Sequence, residues 1–328
     1  MEEQLNPAAQ AINPEKILRD LRDLWAQLAK DKGSAGGVLR ACSMTLIVVA
    51  EPDDEADAET ARKTIGVLMH VHPSRAIVLT PREGGEFSGR VFAECWMPFG
   101  GQQQICSEGI EITADSEQTD EVARLVVPLI APDLPVVLWC RGPRAFLDRS
   151  LDPLFPLANK IIFNTRAVRH ASSAIEFLRR LRKQGGKDGR QVADLAWTRL
   201  TGWREAVAHL MDACPGGWAA ASGGEVRIEY GGGRPGTRSL YFARWIERAL
   251  PGANVTLIPV AGGPGVHSVV FEGCGSETSV RLSEGSSLEV RTAERSYSAV
   301  LPPDSEEGLM REELSILGRD PVFERVLG

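Results

Sequence analysis

Four short stretches of this chain carry side chains able to do chemistry. GGGRPGT, Gly231 to Thr237, satisfies G-x-G-x-x-G, a spacing in which glycines let backbone amides approach a phosphate at a helix start. Arg234, Thr237 and Arg238, with the free helix amides, would then converge on a phosphate or carboxylate. The structural alternative is a glycine turn into a helix capped by Thr237, and the strand that follows, NVTLIPVA, ends without the acid that would hold a ribose hydroxyl. HPSR, His72 to Arg75, brings together three reactive types. It joins a helix to the next strand, however, on the amino edge of a sheet and opposite the usual ligand crevice, which favours a structural or interface role. EPDDEAD follows the first apolar strand and places six acids between Glu51 and Glu59, where they would repel a phosphate. The fourth stretch, DLAWTRLTGWREAVAHLMD from Asp194 to Asp212, concentrates Trp197, Arg199, Trp203 and Arg204 in an aromatic-poor chain. Trp and Arg dominate binding energy at protein interfaces, so this composition suits a docking surface. Trp203, with Val207, Leu210 and Met211 at helical spacing behind a Thr201 cap, also reads as core. Trp197, Arg199 and Arg204 read equally as core or interface.

Nothing else assembles a reaction centre. There is no P-loop, no G-x-S-x-G, no pair of carboxylates at a readable spacing and no HExxH around His70, His72 or His209, so neither catalytic residues, nor a cofactor, nor a metal is expected. The six cysteines, at 42, 95, 106, 140, 214 and 274, form no CxxC. Cys42, Cys95, Cys106 and Cys140 lie in or beside apolar strands and read as packing residues, reduced thiols of a cytoplasmic protein. A net charge of -7 argues against a nucleic-acid partner, and no apolar run has the length of a membrane span. The charge is uneven. Lys160 to Arg204 holds eleven Lys and Arg against three acids, much of it in FLRRLRKQGGKDGR, a helix end running into a linker that could steer an acidic partner.

The elements that must position these residues follow from periodicity. Asn13, Pro14 and Glu15 start a helix whose stripe is Ile17, Leu18, Leu21, Leu24, Trp25 and Leu28. MTLIVVA, ADAETARKTIGVLMHV and RAIVLT read as strand, helix and strand, a parallel pair with a right-handed crossover. GRVFAECWM and QQICSEGIEIT predict an antiparallel arm, EVARLVVPLI a helix, VVLWC and KIIFNT buried strands, and ASSAIEFLRRLRK a closing helix. Length and the Gly185 to Gly189 break divide the chain into a Rossmann-like mixed α/β domain over 1–188 and a smaller α/β domain over 189–328. The second opens with the Trp and Arg helix, continues as EVRIEY, TRSLYFARWIERAL and NVTLIPVA, and ends in an antiparallel meander of three strands and a helix, SEEGLMREELSILG.

DLAWTRLTGWRE resembles the hallmark of the OpcA family, the glucose-6-phosphate dehydrogenase assembly proteins. LRACSMTLIVVA, HPSRAIVL, PDLPVVLW, LANKIIFNTR and RPGTRSLYFARWI match further blocks in the family's order. The chain departs from the pattern at Gly202, at Cys140 and at Ser107, where some members carry a second Cys. The resemblance implies a non-catalytic activator that binds glucose-6-phosphate dehydrogenase and promotes its active oligomer, with Trp197, Arg199, Trp203, Arg204, His72 and Arg75 as partner-binding residues. The rival reading is an enzyme or sensor that takes a sugar phosphate or nucleotide at Arg234, Thr237 and Arg238. Self-association is left open.

Overall fold

The computed structural model describes residues 13–30, 37–84, 87–98, 103–115, 119–146, 149–185, 190–214, 216–272, 278–283, 286–292 and 294–328. It forms two compact units, Met1–Phe163 and Asn164–Gly328.

The first unit runs α1 (Pro14–Lys30), β1 (Val38–Arg40), β2 (Met44–Val49), α2 (Glu55–Met69), β3 (Ser74–Arg82), β4 (Ser88–Trp96), β5 (Gln104–Asp115), α3 (Thr119–Val126), β6 (Val136–Cys140) and β7 (Lys160–Phe163). Asn13 starts α1 by accepting from the Glu15 amide at 2.8 Å, and Asp54 caps α2 by accepting from Asp57. β2 and β6 are continuous apolar runs buried along their whole length, as strands covered on both faces must be. The parallel strands stand in the order β1-β5-β3-β2-β6-β7. Counted from β2, the chain winds outward to β3 and β5 and then reverses to β6 and β7, the doubly wound plan whose switch point lies between β2 and β6.

The antiparallel pair exists, but it is no separate arm. β4 pairs antiparallel with β5, which also pairs parallel with β3 and β1, so β5 is an interior strand. Gly109 in β5 makes the pairing tight, because a Cβ there would meet the ring of Phe92 on β4. The cysteine expectation also needs correction. Cys95 and Cys106 sit opposite each other in this ladder with Cα atoms 4.1 Å apart and form a disulfide, whereas Cys42, Cys140 and Cys214 are free thiols. Neither cysteine stands in a CxxC, so only the cross-strand register, invisible in the sequence, brings them together. Cys274 lies outside the described residues.

The second unit contains α4 (Ala171–Lys183), β8 (Gln191–Asp194), α5 (Leu195–Thr198), α6 (Thr201–Ala213), α7 (Gly217–Ala221), β9 (Glu225–Gly231), α8 (Thr237–Ala249), β10 (Asn254–Pro259), β11 (Gly265–Phe271), β12 (Thr278–Ser283), β13 (Ser287–Arg291), β14 (Ser296–Val300), α9 (Glu306–Ser315) and α10 (Pro321–Leu327). Its sheet has the order β10-β9-β11-β12-β13-β14, with β9 and β10 parallel and the other pairs antiparallel. The meander therefore has a fourth strand, β14, and the chain a further helix, α10, capped by Asp320 with Pro321 at its first position. Gly186 to Gly189, which the sequence makes a boundary, lie outside the described residues. α4 packs with α8 and α10 and so belongs to the second unit.

The disulfide is directly testable. Replacing Cys95 and Cys106 together by Ser should lower stability by about 2–3 kcal/mol, the effect of closing an 11-residue loop. Alkylation of the unreduced native protein should leave both unmodified. Labelling of both, with the double variant as stable as the parent, would show two thiols instead.

Candidate functional site

At the centre of the second unit is Asp194, wholly buried where β8 turns into α5. A carboxylate without water needs donors, and the local fold supplies four. Oδ1 accepts from the amides of Ala196 and Thr165 at 2.9 and 3.1 Å, and Oδ2 from Thr165 Oγ1 and Tyr241 Oη at 2.6 and 2.9 Å. Because the Thr165 hydroxyl hydrogen is used on Asp194, Thr237, 2.7 Å away, donates its own to Thr165 Oγ1. Burial raises the Asp194 carboxyl above its ordinary value despite these donors, and it pushes the Tyr241 phenol well up.

The docking role expected of Trp197, Arg199, Trp203 and Arg204 calls for exposed side chains, and the structure buries the two Trp and leaves the two Arg only partly exposed. Trp197 and Trp203 are each 3% exposed. The Trp197 indole stacks on Phe323 with centroids 5.5 Å apart and donates to Asp320 Oδ2 at 2.9 Å. The Arg204 guanidinium lies 3.9 Å over the same indole, and burial holds it below its ordinary pKa. Arg199 donates to Asp304 Oδ1 at 2.5 Å and Asn164 Oδ1 at 3.1 Å. Trp203 meets Phe242 edge to face. Thr201 is not a cap. Leu200 precedes the helix, and the Thr201 hydroxyl donates to Glu312 at 2.6 Å instead. Thr198 likewise donates to Glu313 at 2.8 Å. In sequence these residues look like a free face because their acidic partners lie more than a hundred positions later.

The basic stretch is partly committed in the same way, since Arg179 donates to the Leu327 carbonyl at 2.9 Å and Arg182 to Glu324 at 3.2 Å, while Arg180 is exposed. In the first unit Arg75 is buried, donating to Glu108 at 2.5 Å and to the Leu129 carbonyl at 2.9 Å. Glu108 also accepts from Trp25 Nε1 and Arg40, each at 2.6 Å. Burial would raise this carboxyl, but the indole and the two guanidiniums outweigh it and hold it below the ordinary range. His72, beside Arg75, is half-buried at the start of the same turn.

At the switch point, where a doubly wound sheet receives its ligand, the cleft is largely filled. Its free volume is about 30 Å³, walled by Val49, Leu79, Ala114, Arg141, Leu151 and Leu154. That is room for water and not for a dinucleotide. Asp57, in the first turn of α2, holds Arg141 Nη2 at 2.7 Å, and Arg141 lies 4.6 Å over the Trp139 ring. The acids of EPDDEAD thus cap and brace α2.

The Gly231 to Thr237 turn does lead into α8, but its side chains do not converge. Arg234 is exposed, Thr237 is buried on Thr165, and Arg238 donates to the Pro264 carbonyl at 2.8 Å and faces Asp304. Among the described residues no group of three His, Cys, Asp or Glu could hold a metal, and no helix is long and apolar enough to cross a membrane.

These features define a two-unit α/β protein with a Rossmann-like first sheet. The chain belongs to the glucose-6-phosphate dehydrogenase subunit family: residues 66–182 match its N-terminal domain and residues 190–327 its C-terminal domain. It is 24% identical over 182 residues to the OxPP cycle protein OpcA of Nostoc punctiforme, covering 55% of this chain and 38% of the relative. With the OpcA of Synechocystis sp. it shares 22% over 203 residues, 61% of this chain and 42% of the relative. The chain thus spans about two fifths of the length of these relatives. Weaker likenesses link it to an oxidoreductase from Sinorhizobium meliloti (TM-score 0.48, 10% identity, 88% of this chain and 94% of that chain). Another is the WlbA (WbpB) dehydrogenase from Thermus thermophilus (TM-score 0.45, 12% identity, 86% and 92%). At that level they carry no inference about activity.

The Asp194 centre predicts a pH signature. A raised folded pKa favours the protonated form, so the stability tied to this group is full below the ordinary aspartate range and is lost as pH rises through the raised value. Asp194→Asn is neutral throughout, so the stability of the parent relative to this variant should fall as pH rises above the ordinary aspartate range. Chemical denaturation at several pH values checks this, and a difference that stays constant or grows contradicts it.

Proposed function

We propose that this protein is a non-catalytic assembly factor that binds glucose-6-phosphate dehydrogenase in the cytoplasm and promotes its active oligomer. The observation that carries this reading is the match of both units to domains described as subunits of that dehydrogenase. The filled switch-point cleft and the internal pairing of Arg75, Arg141, Arg199 and Asp194 agree with a role in binding rather than turnover. The mechanism is linkage: a protein with higher affinity for the active oligomer than for its dissociated form shifts the population by that difference.

Because Trp197 and Trp203 are buried, this reading puts the contact on another surface. In the first unit the end of α2 and the end of β4 expose Val67, Val71 and Met97 at 41%, 50% and 53%. His70 stacks on Trp96 between them with centroids 4.9 Å apart, beside His72. An apolar cluster of this kind, rimmed by Glu94 and the two histidines, has the make-up of an interface core.

The pure chain should form no NADPH from glucose 6-phosphate and NADP. Added to the dehydrogenase from the same cell, it should co-migrate with it and raise its specific activity. Val71→Glu, at an exposed position, should weaken that binding by about 2 kcal/mol while leaving stability unchanged. Turnover by the chain alone, or failure to co-migrate, overturns the reading; undiminished binding by Val71→Glu moves the contact elsewhere.

A further inference from the structure

Asp304 sits in the link between β14 and α9 and meets three guanidiniums from three separate segments. Arg199 Nε is 2.5 Å from its Oδ1, and Arg166 Nη1 and Arg238 Nη1 are 3.2 and 4.0 Å from its Oδ2. Among the described residues no second carboxylate lies within 4.0 Å of these three, so one negative charge answers three positive ones. Arg238 is the second residue of α8, a helix with Gly236 at its N-cap, no side-chain cap and no acid in its first turn. A cation there opposes the helix dipole, which favours an anion at that end. The mismatch registers on Arg238 itself: burial, and the nearby Arg199 and Arg166, hold it below its ordinary value against the pull of Asp304. A cavity of about 320 Å³ opens beside the cluster, walled by Arg199, Arg238, Thr201, Glu307 and Glu312, the size of a small-metabolite site.

We propose that Arg166, Arg199 and Arg238 form a site for a dianionic phosphate monoester of a small hydroxylated molecule, and that the Asp304 carboxylate fills this site in the free protein. A phosphate offers three acceptor oxygens and nearly two charges where Asp304 offers two oxygens and one, so it matches the three guanidiniums better. Thr201, Glu307 and Glu312 would take the hydroxyls of the remainder. Binding displaces Asp304, and with it the segment Leu301–Ser305, whose Leu301 side chain rests on Gly202 of α6. This assignment keeps Arg238 from the glycine-rich turn as an anion ligand and replaces Arg234 and Thr237 by Arg199 and Arg166.

The test is calorimetric titration of the full chain at low salt with inorganic phosphate, glycerol 3-phosphate and glycerol. Both phosphates should bind, glycerol 3-phosphate the more tightly, and glycerol should not. Asp304→Asn, which removes the competing carboxylate, should tighten glycerol 3-phosphate about tenfold, and Arg166→Ala, at a half-exposed position, should weaken it about tenfold with an unchanged melting temperature. Absence of binding to both the parent and Asp304→Asn overturns the proposal. So does binding that Arg166→Ala leaves intact, or a response to a phosphoserine peptide with none to glycerol 3-phosphate.

Discussion

A carboxylate with no access to water has to be surrounded by donors, and in this protein that requirement organises the second unit. Asp194 draws in Thr165, Ala196 and Tyr241, and through Thr165 also Thr237, so the turn before α4, the β8 to α5 junction and the start of α8 are fixed to a common point. Removing it would leave several buried donors unpaired, each costing roughly 1–3 kcal/mol. The residues that follow extend the constraint outward. Trp197 reaches Asp320, Thr198 Glu313, Arg199 Asp304 and Thr201 Glu312, so nearly every polar group of the segment holds an acid from the last part of the chain.

This explains which parts of the sequence were legible. Apolar runs such as MTLIVV and VVLWC declare buried parallel strands, and Asn13-Pro14 declares a helix start, because those signals are local. β14 carries only an exposed, weakly apolar SYSAV, and α10 is a Pro-led helix of about two turns, so neither has a period to read. The position of β5 inside the sheet and the Cys95–Cys106 pairing depend on register between strands, which no spacing in one strand encodes.

For the candidate site, the hallmark segment is recognisable as special, but its two Trp side chains are buried rather than exposed. Trp and Arg have the same chemistry in a core as at an interface, and what separates the two is whether partners are already present. Those partners, Asp304, Glu312, Glu313 and Asp320, are ordinary acids in sequence. The one available hint was Asp194 itself, an acid followed by Leu-Ala-Trp at the end of an apolar strand, the pattern of a buried helix cap. For EPDDEAD and HPSR, strand order alone decides which edge of a sheet they occupy. Asp57 holds Arg141, and Arg75, expected at a partner surface, is instead buried on Glu108.

The account stands on the segment from Asp194 to Arg204 being the fixed interior of its unit, and native-state hydrogen exchange of the free protein reads this directly. The amides of Ala196, Arg199 and Arg204, bonded to Asp194 Oδ1, Leu195 O and Leu200 O, should exchange only by global unfolding, with the slowest class of the chain. Rapid exchange at these positions while the core strands β9 and β11 stay protected would contradict it, and would return the Trp and Arg residues to a mobile surface.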